Sequence, residues 1–299
     1  MIQLKNCPVC DSNKLKLFMT CKDYSVSQEF FNIVSCETCS FKFTNPMPNA
    51  NEIGKYYESD KYISHTNSKE GLFNFLYQSV RNFTIKEKRK IITNSSTSVR
   101  HLDIGCGTGE FLNECKKNGI NVFGVEPSDA AATQARNNFK IKVSDSIFSK
   151  ALINEKFDSI SMWHVLEHIH DIKKSIIKIN HLLKSGGKIY IALPNNKSFD
   201  AKYYKEFWAA WDVPIHLWHF SNKNIIELMS NYGFKFKYTK AMIFDSYYVS
   251  LLSEEYKNGK KNFIKSFFVG TISNLRAKFL DKQFSSIIYV FEKVKTTPN

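Results

Sequence analysis

The sequence predicts an α/β fold built on a parallel sheet, preceded by a small cysteine-bearing module. Three observations predict it. From residue 99 onward, short apolar runs alternate with helical patterns. The first of these runs ends in an acid and a glycine-rich turn, Asp103-Ile104-Gly105-Cys106-Gly107-Thr108-Gly109. The first 40 residues carry two Cys-x-x-Cys pairs. A chain of 299 residues suits about two domains, and 43% hydrophobic content supports a real core, which excludes wholesale disorder. No apolar run reaches the ~18 residues that a membrane span needs. The opening residues have no apolar signal-peptide core, which predicts a cytoplasmic address.

The formal net charge of +14 raises the question of nucleic acid. Only five of the 42 basic residues are arginine, namely Arg81, Arg89, Arg100, Arg136 and Arg276. Reading of bases and phosphates favours the arginine fork. The lysines are spread along the whole chain, so a solvated lysine surface explains the charge more simply than a nucleic-acid partner.

In chain order, Cys7-Pro8-Val9-Cys10 and Cys36-Glu37-Thr38-Cys39 predict a zinc ribbon over residues 1–48. A tight turn lets two thiolates two residues apart face one ion, and a second such turn closes a tetrahedral shell of four sulfurs. Four protein ligands make the expected Zn²⁺ structural rather than catalytic. The 25-residue spacer has room for a hairpin. Cys21 is expected as a small core residue. Residues 49–98 are predicted as a helical connector, with a helix over 71–92 and a polar linker, Asn94-Ser95-Ser96-Thr97-Ser98.

The α/β domain is expected over 99–299, with strands at 99–104, 121–125, 139–143, 157–162, 187–193, 234–238 and 286–291. Helices are expected at 109–118, 128–137, 171–184 and 222–232. Two segments, 194–221 and 241–284, exceed ordinary connection lengths and read as insertions that build lids or binding surfaces. Within the second, Ile264, Phe268, Ile272, Leu275 and Phe279 form an apolar stripe at helical spacing. A helix docked on its own domain through that stripe is the expectation, in preference to one lying on a membrane.

The glycine turn carries the chemistry. Gly105 and Gly107 let a ligand approach the main chain, and Gly109 allows close packing where the helix starts. The spacing is GxGxG rather than the dinucleotide GxGxxG, which argues against a nicotinamide oxidoreductase. The next strand ends in Glu126, 21 residues after Gly105, where an acid can accept from both ribose hydroxyls. Val143-Ser144-Asp145 ends the third strand, and Trp163-His164-Val165-Leu166-Glu167-His168 follows the fourth.

These four motifs in this order resemble the class I S-adenosylmethionine-dependent methyltransferases over roughly residues 99–240 and 285–293. The resemblance implies a seven-stranded, doubly wound Rossmann-like sheet whose last strand is antiparallel. It implies that Gly105, Cys106, Gly107 and Gly109 pass beneath the cofactor and that Asp103 holds the turn and the amino-acid end. Glu126, with Pro127, would bind the ribose, Asp145 with Ser146 the adenine, and Trp163 and His164 would flank the methionine. The 163–168 turn is close to the HxLEH turn of small-molecule methyltransferases, including ubiquinone-pathway O-methyltransferases. A four-cysteine module ahead of such a domain resembles the nucleotide-sugar C-methyltransferases. The segment Asp212-Val213-Pro214-Ile215-His216-Leu217-Trp218-His219-Phe220-Ser221 looks like a turn frequent in that group. Its pattern is often Pro-Arg-His, and Ile215 here removes a phosphate or carboxylate contact.

The function expected from this is transfer of a methyl group to a carbon or oxygen of a small, sugar-like acceptor. Its rivals are an RNA or protein methyltransferase using the basic ribbon for macromolecule binding, and a non-catalytic cofactor-binding adaptor. His216 is the favoured proton acceptor, with His164 and His219 as further candidates. Glu167 and His168 are expected to cap the helix that follows them. Residues 199–220, with part of 241–284, are expected to roof the acceptor site.

Overall fold

The computed structural model describes residues 1–57, 72–93 and 99–294. The expected linker at 94–98 lies outside the described residues, as does the connector between 58 and 71. What is described of the connector is a 3-10 turn, Ile53–Tyr56, and a helix, α1 (Leu72–Thr93).

Two sheets carry the fold. The cysteine module supplies β1 (Leu15–Lys22), β2 (Phe30–Cys36) and β3 (Lys42–Thr44), all antiparallel. The large sheet contains β4 (Arg100–Ile104), β5 (Asn121–Val125), β6 (Lys142–Ser144), β7 (Phe157–Trp163) and β8 (Leu183–Pro194). Between them run α2 (Glu110–Lys117), α3 (Asp129–Phe139) and α4 (Ile172–Leu182). Beyond β8 come α5 (Phe199–Tyr204) and the two-residue strand β9 (Trp218–His219). Then follow α6 (Asn222–Ser230), β10 (Phe234–Ala241), α7 (Asp245–Asn258), α8 (Phe263–Arg276) and β11 (Ser286–Lys293).

The large sheet has the order β10-β11-β8-β7-β4-β5-β6. β4 to β8 pair in parallel, and β11 runs antiparallel to both its neighbours. The expected seven-stranded α/β fold with an antiparallel last strand is borne out. β6 starts later than the spacing predicts. Phe139 closes the last turn of α3 instead, and Lys140, at φ +53°, ends that helix in the left-handed region.

Helix starts follow local chemistry. Ser128, Asp171, Ser198, Ser221 and Asn262 each accept a hydrogen bond from a backbone N–H in the first turn of their helix. Asp171 therefore caps α4, a role the sequence had pointed to Glu167 and His168 for. Those two residues lie in a 3-10 turn upstream, and Glu167 is fully buried among long-range partners.

β9 belongs to the 194–221 insertion but pairs with β3, so the insertion completes the sheet of the cysteine module. The same insertion fills a core with the β1–β2 hairpin. Cys21, Phe31 and Ile33 from the hairpin pack with Tyr204, Trp208 and Trp211. These aromatics are core residues, not the open walls of a roof.

The helix at 263–276 corrects the sequence expectation more sharply. Its inner face is made of small residues: Ser266, Val269, Gly270 and Ser273 are buried. A Cβ on Gly270 would stand 2.8 Å from the Tyr247 ring, so only glycine lets α8 approach α7 this closely. The large apolar stripe faces outward, with Ile264 73% and Phe268 59% exposed. Amphipathicity located a face here, and the contacts put the opposite face inside.

Asp200 ties both insertions to the sheet. Its fully buried carboxyl accepts from Trp208 Nε1 at 2.8 Å, Ser273 Oγ at 2.7 Å and Ser285 Oγ at 2.6 Å. Replacing it removes the acceptor for three buried donors. Asp200→Ala is expected to destabilise the chain by about 3 kcal/mol, and Asp200→Asn by less, because the amide keeps one acceptor. Urea denaturation midpoints for the two variants check the order and the size.

Candidate active site

The glycine turn after β4 lies at the carboxyl ends of the parallel strands, where open α/β sheets bind ligands. Gly105, Gly107 and Gly109 take φ values of +74°, +54° and +88°. A Cβ on Gly105 would lie 2.4 Å from Val165 Cγ2, and one on Gly109 would lie 2.9 Å from Ala135 Cβ. A Cβ on Gly107 would meet nothing within 4 Å. Packing thus dictates two of the glycines, and the third presents bare backbone to open space.

Glu126 ends β5 and reaches back to that open backbone. Its Oε2 accepts from the Gly107 N–H at 2.9 Å and its Oε1 from the Ser128 N–H at 2.9 Å. Asp103 is buried beneath, accepting from Ser161 Oγ. Burial pushes its carboxyl up to about 7, against the Ser161 hydrogen bond. The Cys106 side chain is turned under the loop, since a Cβ on Gly124 would strike its Sγ at 2.6 Å. Pro127 and Asp145 are exposed at the ends of β5 and β6, and Ser146 Oγ accepts from the Phe148 N–H. Trp163 ends β7 with a buried Nε1 that has no hydrogen-bond partner in the structure. Its ring meets the edge of Phe111 at 5.3 Å and the Lys88 ammonium at 4.7 Å.

His164 follows at φ +57° and sits between two carboxylates. Nδ1 lies 3.3 Å from Glu167 Oε1, and Nε2 lies 3.2 Å from Asp245 Oδ2. Burial alone would lower its pKa, but the two acids outweigh burial and bring it up to about 9. Glu167 and Asp245 are held below the usual carboxylate range, because contact with His164 overcomes their own burial. The Glu167–His164 approach is a charge contact, not an aligned hydrogen bond.

Glu167 also brings His168 and His216 together, the three offering ligand atoms within 4.8 Å of one another. The two imidazoles meet edge to face at 4.6 Å. His168 Nδ1 is 3.0 Å from the Tyr57 hydroxyl, and burial beside His216 lowers its pKa to about 3. His216 Nδ1 donates to the Ala210 carbonyl at 3.0 Å, and its Nε2 lies 3.9 Å from Asp212 Oδ2. His219 is elsewhere. It is enclosed, with Nε2 3.1 Å from Thr44 Oγ1 and its ring against Trp211, and burial holds it neutral.

Sequence reasoning missed Asp245 and Lys88. Asp245 opens α7 and reads locally as an acid in a first helical turn. Lys88 reads as one more lysine on a basic helix end.

The four cysteines converge as a second constellation. Cys7 and Cys39 sulfurs are 3.5 Å apart, as are those of Cys10 and Cys36, and all four thiols lie within 4.8 Å. A tetrahedral zinc at ~2.3 Å from each sulfur needs sulfurs ~3.8 Å apart, so the set fits such an ion. The two knuckles repeat one geometry. Each ends in a left-handed residue, Asp11 at φ +61° or Ser40 at +62°. Each of those donates its N–H to the carbonyl of the first cysteine, Cys7 or Cys36, at 2.9 Å. The second knuckle is anchored to the large domain, since Asn224 Nδ2 donates to the Cys39 carbonyl at 2.9 Å.

The fold is a doubly wound α/β sheet with a glycine turn at the carboxyl end of a central parallel strand. The chain belongs to the methyltransferase domain family, whose model matches residues 68–238, more than half of the sequence. It is 28% identical over 177 residues to a ubiquinone biosynthesis O-methyltransferase of Pelagibacter ubique, spanning 52% of this chain and 72% of that protein. It is 32% identical over 111 residues to a ubiquinone biosynthesis O-methyltransferase of Coxiella burnetii, spanning 34% of this chain. That match covers 46%, about half, of the Coxiella protein's length. Among solved structures it resembles the [4+2]-cyclase SpnF with a TM-score of 0.51 and 16% identity, over 71% of this chain and 81% of that one. At that identity the likeness shows the fold alone. The resemblance to methyltransferases is borne out.

The His164 cluster has a defined pH window. The folded pKa of about 9 lies above the ordinary 6.5, so the histidine's stabilising contribution is complete below 6.5 and is lost as pH rises through 9. The lowered acids contribute above the ordinary carboxylate range and are lost as pH falls through their folded values. In a nuclear magnetic resonance titration the His164 ring is expected to titrate near pH 9. Asp245→Asn should lower that midpoint by ~1 unit or more. An unshifted midpoint in the variant contradicts the ion pair.

Proposed function

We propose that this chain transfers a methyl group from S-adenosylmethionine to an oxygen or carbon of a small, sugar-like acceptor. The observation that carries the reading is Glu126 lying against the open Gly107 backbone, with β4 between it and the charged His164 cluster. When bound, S-adenosylmethionine supplies an electrophilic methyl on a sulfonium. Glu126 is assigned to the two ribose hydroxyls, Asp145 and Ser146 to the adenine edge, and Asp103 and Trp163 to the methionine end. The unpartnered Trp163 Nε1 and the bare Gly107 backbone suit a ligand there.

The protein's task is then to align the acceptor and to take its proton where needed. His216 is assigned that proton, because its Nδ1–H is committed to the Ala210 carbonyl, which leaves Nε2, 3.9 Å from Asp212 Oδ2, as the atom that exchanges a proton. His164 is assigned a different role. Protonated between two carboxylates, it is a donor and a fixed positive charge, not a base. His219 is assigned to packing. The names of the two ubiquinone O-methyltransferase relatives favour oxygen over carbon and a small molecule over RNA or protein.

We also infer one structural zinc held by Cys7, Cys10, Cys36 and Cys39, supported by the repeated knuckle geometry. Elemental analysis of native protein prepared without chelator is expected to give one zinc per chain. Absence of zinc refutes the assignment.

Two variants separate binding from chemistry. Glu126→Ala should weaken S-adenosylhomocysteine by ~10–100-fold in calorimetry, at ~1.5–3 kcal/mol for each lost hydrogen bond to a charged group less any water replacement. His216→Asn should leave that affinity unchanged while turnover falls ~100-fold or more. Unchanged affinity in the first sinks the ribose assignment, and unchanged turnover in the second leaves His216 a packing residue.

A further inference from the structure

The 241–284 insertion is not used by the chemistry beyond Asp245, yet it carries a long exposed apolar strip. Between residues 257 and 282 the chain has seven basic side chains and one acidic one, Asp281. α8 packs through serine and glycine and turns its large apolar residues outward. Ile264, Phe268, Ile272 and Leu275 follow i, i+4, i+8 and i+11 spacing, so they share one face, and all are exposed. The π turn Ala277–Asp281 extends the strip with Phe279 and Leu280, 69% and 70% exposed. An open groove of about 490 Å³ runs along the strip between α8 and Phe199 and Tyr203. Lys260, Lys261, Lys278 and Lys282 are exposed at the two ends of the strip.

An exposed apolar face of this extent marks an interaction surface. The rim decides what it meets. A second copy seated by a two-fold axis would bring one basic rim against another, and like charges in contact oppose association. An anionic phospholipid surface meets both features at once, taking the apolar strip into its headgroup–acyl boundary and the lysines onto its phosphates. No helix among the described residues is long and apolar enough to cross a membrane, which fits a helix lying in the interface plane. We propose that α8 with its π turn docks this protein on an anionic lipid bilayer. Ile264, Phe268 and Phe279 enter the boundary, and Lys260, Lys261 and Lys278 face the lipid phosphates. The inference is independent of which acceptor is methylated.

Co-sedimentation of the full chain with vesicles tests it. The chain should sediment with phosphatidylcholine vesicles containing a third phosphatidylglycerol and remain in solution with phosphatidylcholine alone. The double variant Ile264→Glu/Phe268→Glu should lose partitioning by ~10-fold or more, with its thermal melt unchanged because both side chains are exposed. Lys260→Glu/Lys261→Glu should bind more weakly and with a shallower salt dependence, which supplies a second reading that leaves every apolar contact in place. Failure to sediment with the anionic vesicles overturns the proposal. So does equal binding by the apolar double variant, which would leave only bulk charge at work. A concentration-dependent dimer in sedimentation velocity, abolished by the same variant, would assign the face to a second copy instead.

Discussion

Leu217 is held from both sides, and much of the candidate site depends on that. Its N–H donates to the Glu167 carbonyl at 2.8 Å, and its own carbonyl accepts from the Thr44 N–H at 3.0 Å. One residue of the insertion is thereby pinned between the cysteine module and the turn that ends β7. Thr44 Oγ1 adds a hydrogen bond to the His216 carbonyl at 2.8 Å, and the β3–β9 pairing continues it through Phe43 opposite Trp218. Backbone hydrogen bonds of this kind, buried and fully paired, leave the loop one conformation. The cysteine module is therefore not an appendage. Its Cys7, Cys36, Cys39, Phe41 and Phe43 share one core with Leu102, Ile160 and Leu193 of the large sheet.

That arrangement gives four histidines four different environments. His164 is charged, held by acids from its own turn and from α7. His168 and His219 are held neutral by burial. His216 touches His168 and keeps a defined tautomer through Ala210. The His164 cation and the hydrogen-bonded His216 imidazole both lie beside Glu167. The separation arises from partners, since an isolated imidazole would titrate near 6.5 in every case.

What the sequence made legible was local. The glycine turn, Glu126 and the two cysteine knuckles each declare themselves within a few residues, because their geometry is set by neighbours in the chain. The strand and helix pattern is legible for the same reason, with boundary errors of three or four residues where β6 starts at Lys142 and β8 at Leu183. What was not legible depends on long-range contact. Asp245 meets His164 across 81 residues, and its sequence context says only that a helix begins. Glu167 looked like a helix cap because caps are local, and became a buried partner of histidines because the fold brought His216 to it. The apolar stripe of α8 was found correctly, but periodicity reports that a face exists and not what lies against it. Gly270 and Ser273, the residues that dock that helix, carry no hydrophobic signal at all.

In the function proposed above, the loop at 212–219, fixed by the cysteine module, lies on the acceptor side of a cofactor held at Gly105 and Gly107. A crystal structure of the full chain with S-adenosylhomocysteine tests it most directly. The ribose is expected on Glu126 and the sulfur near Gly105 and His164, with its open side facing His216. Sulfur directed away from the 212–219 loop, or a ligand lodged away from the glycine turn, would contradict it.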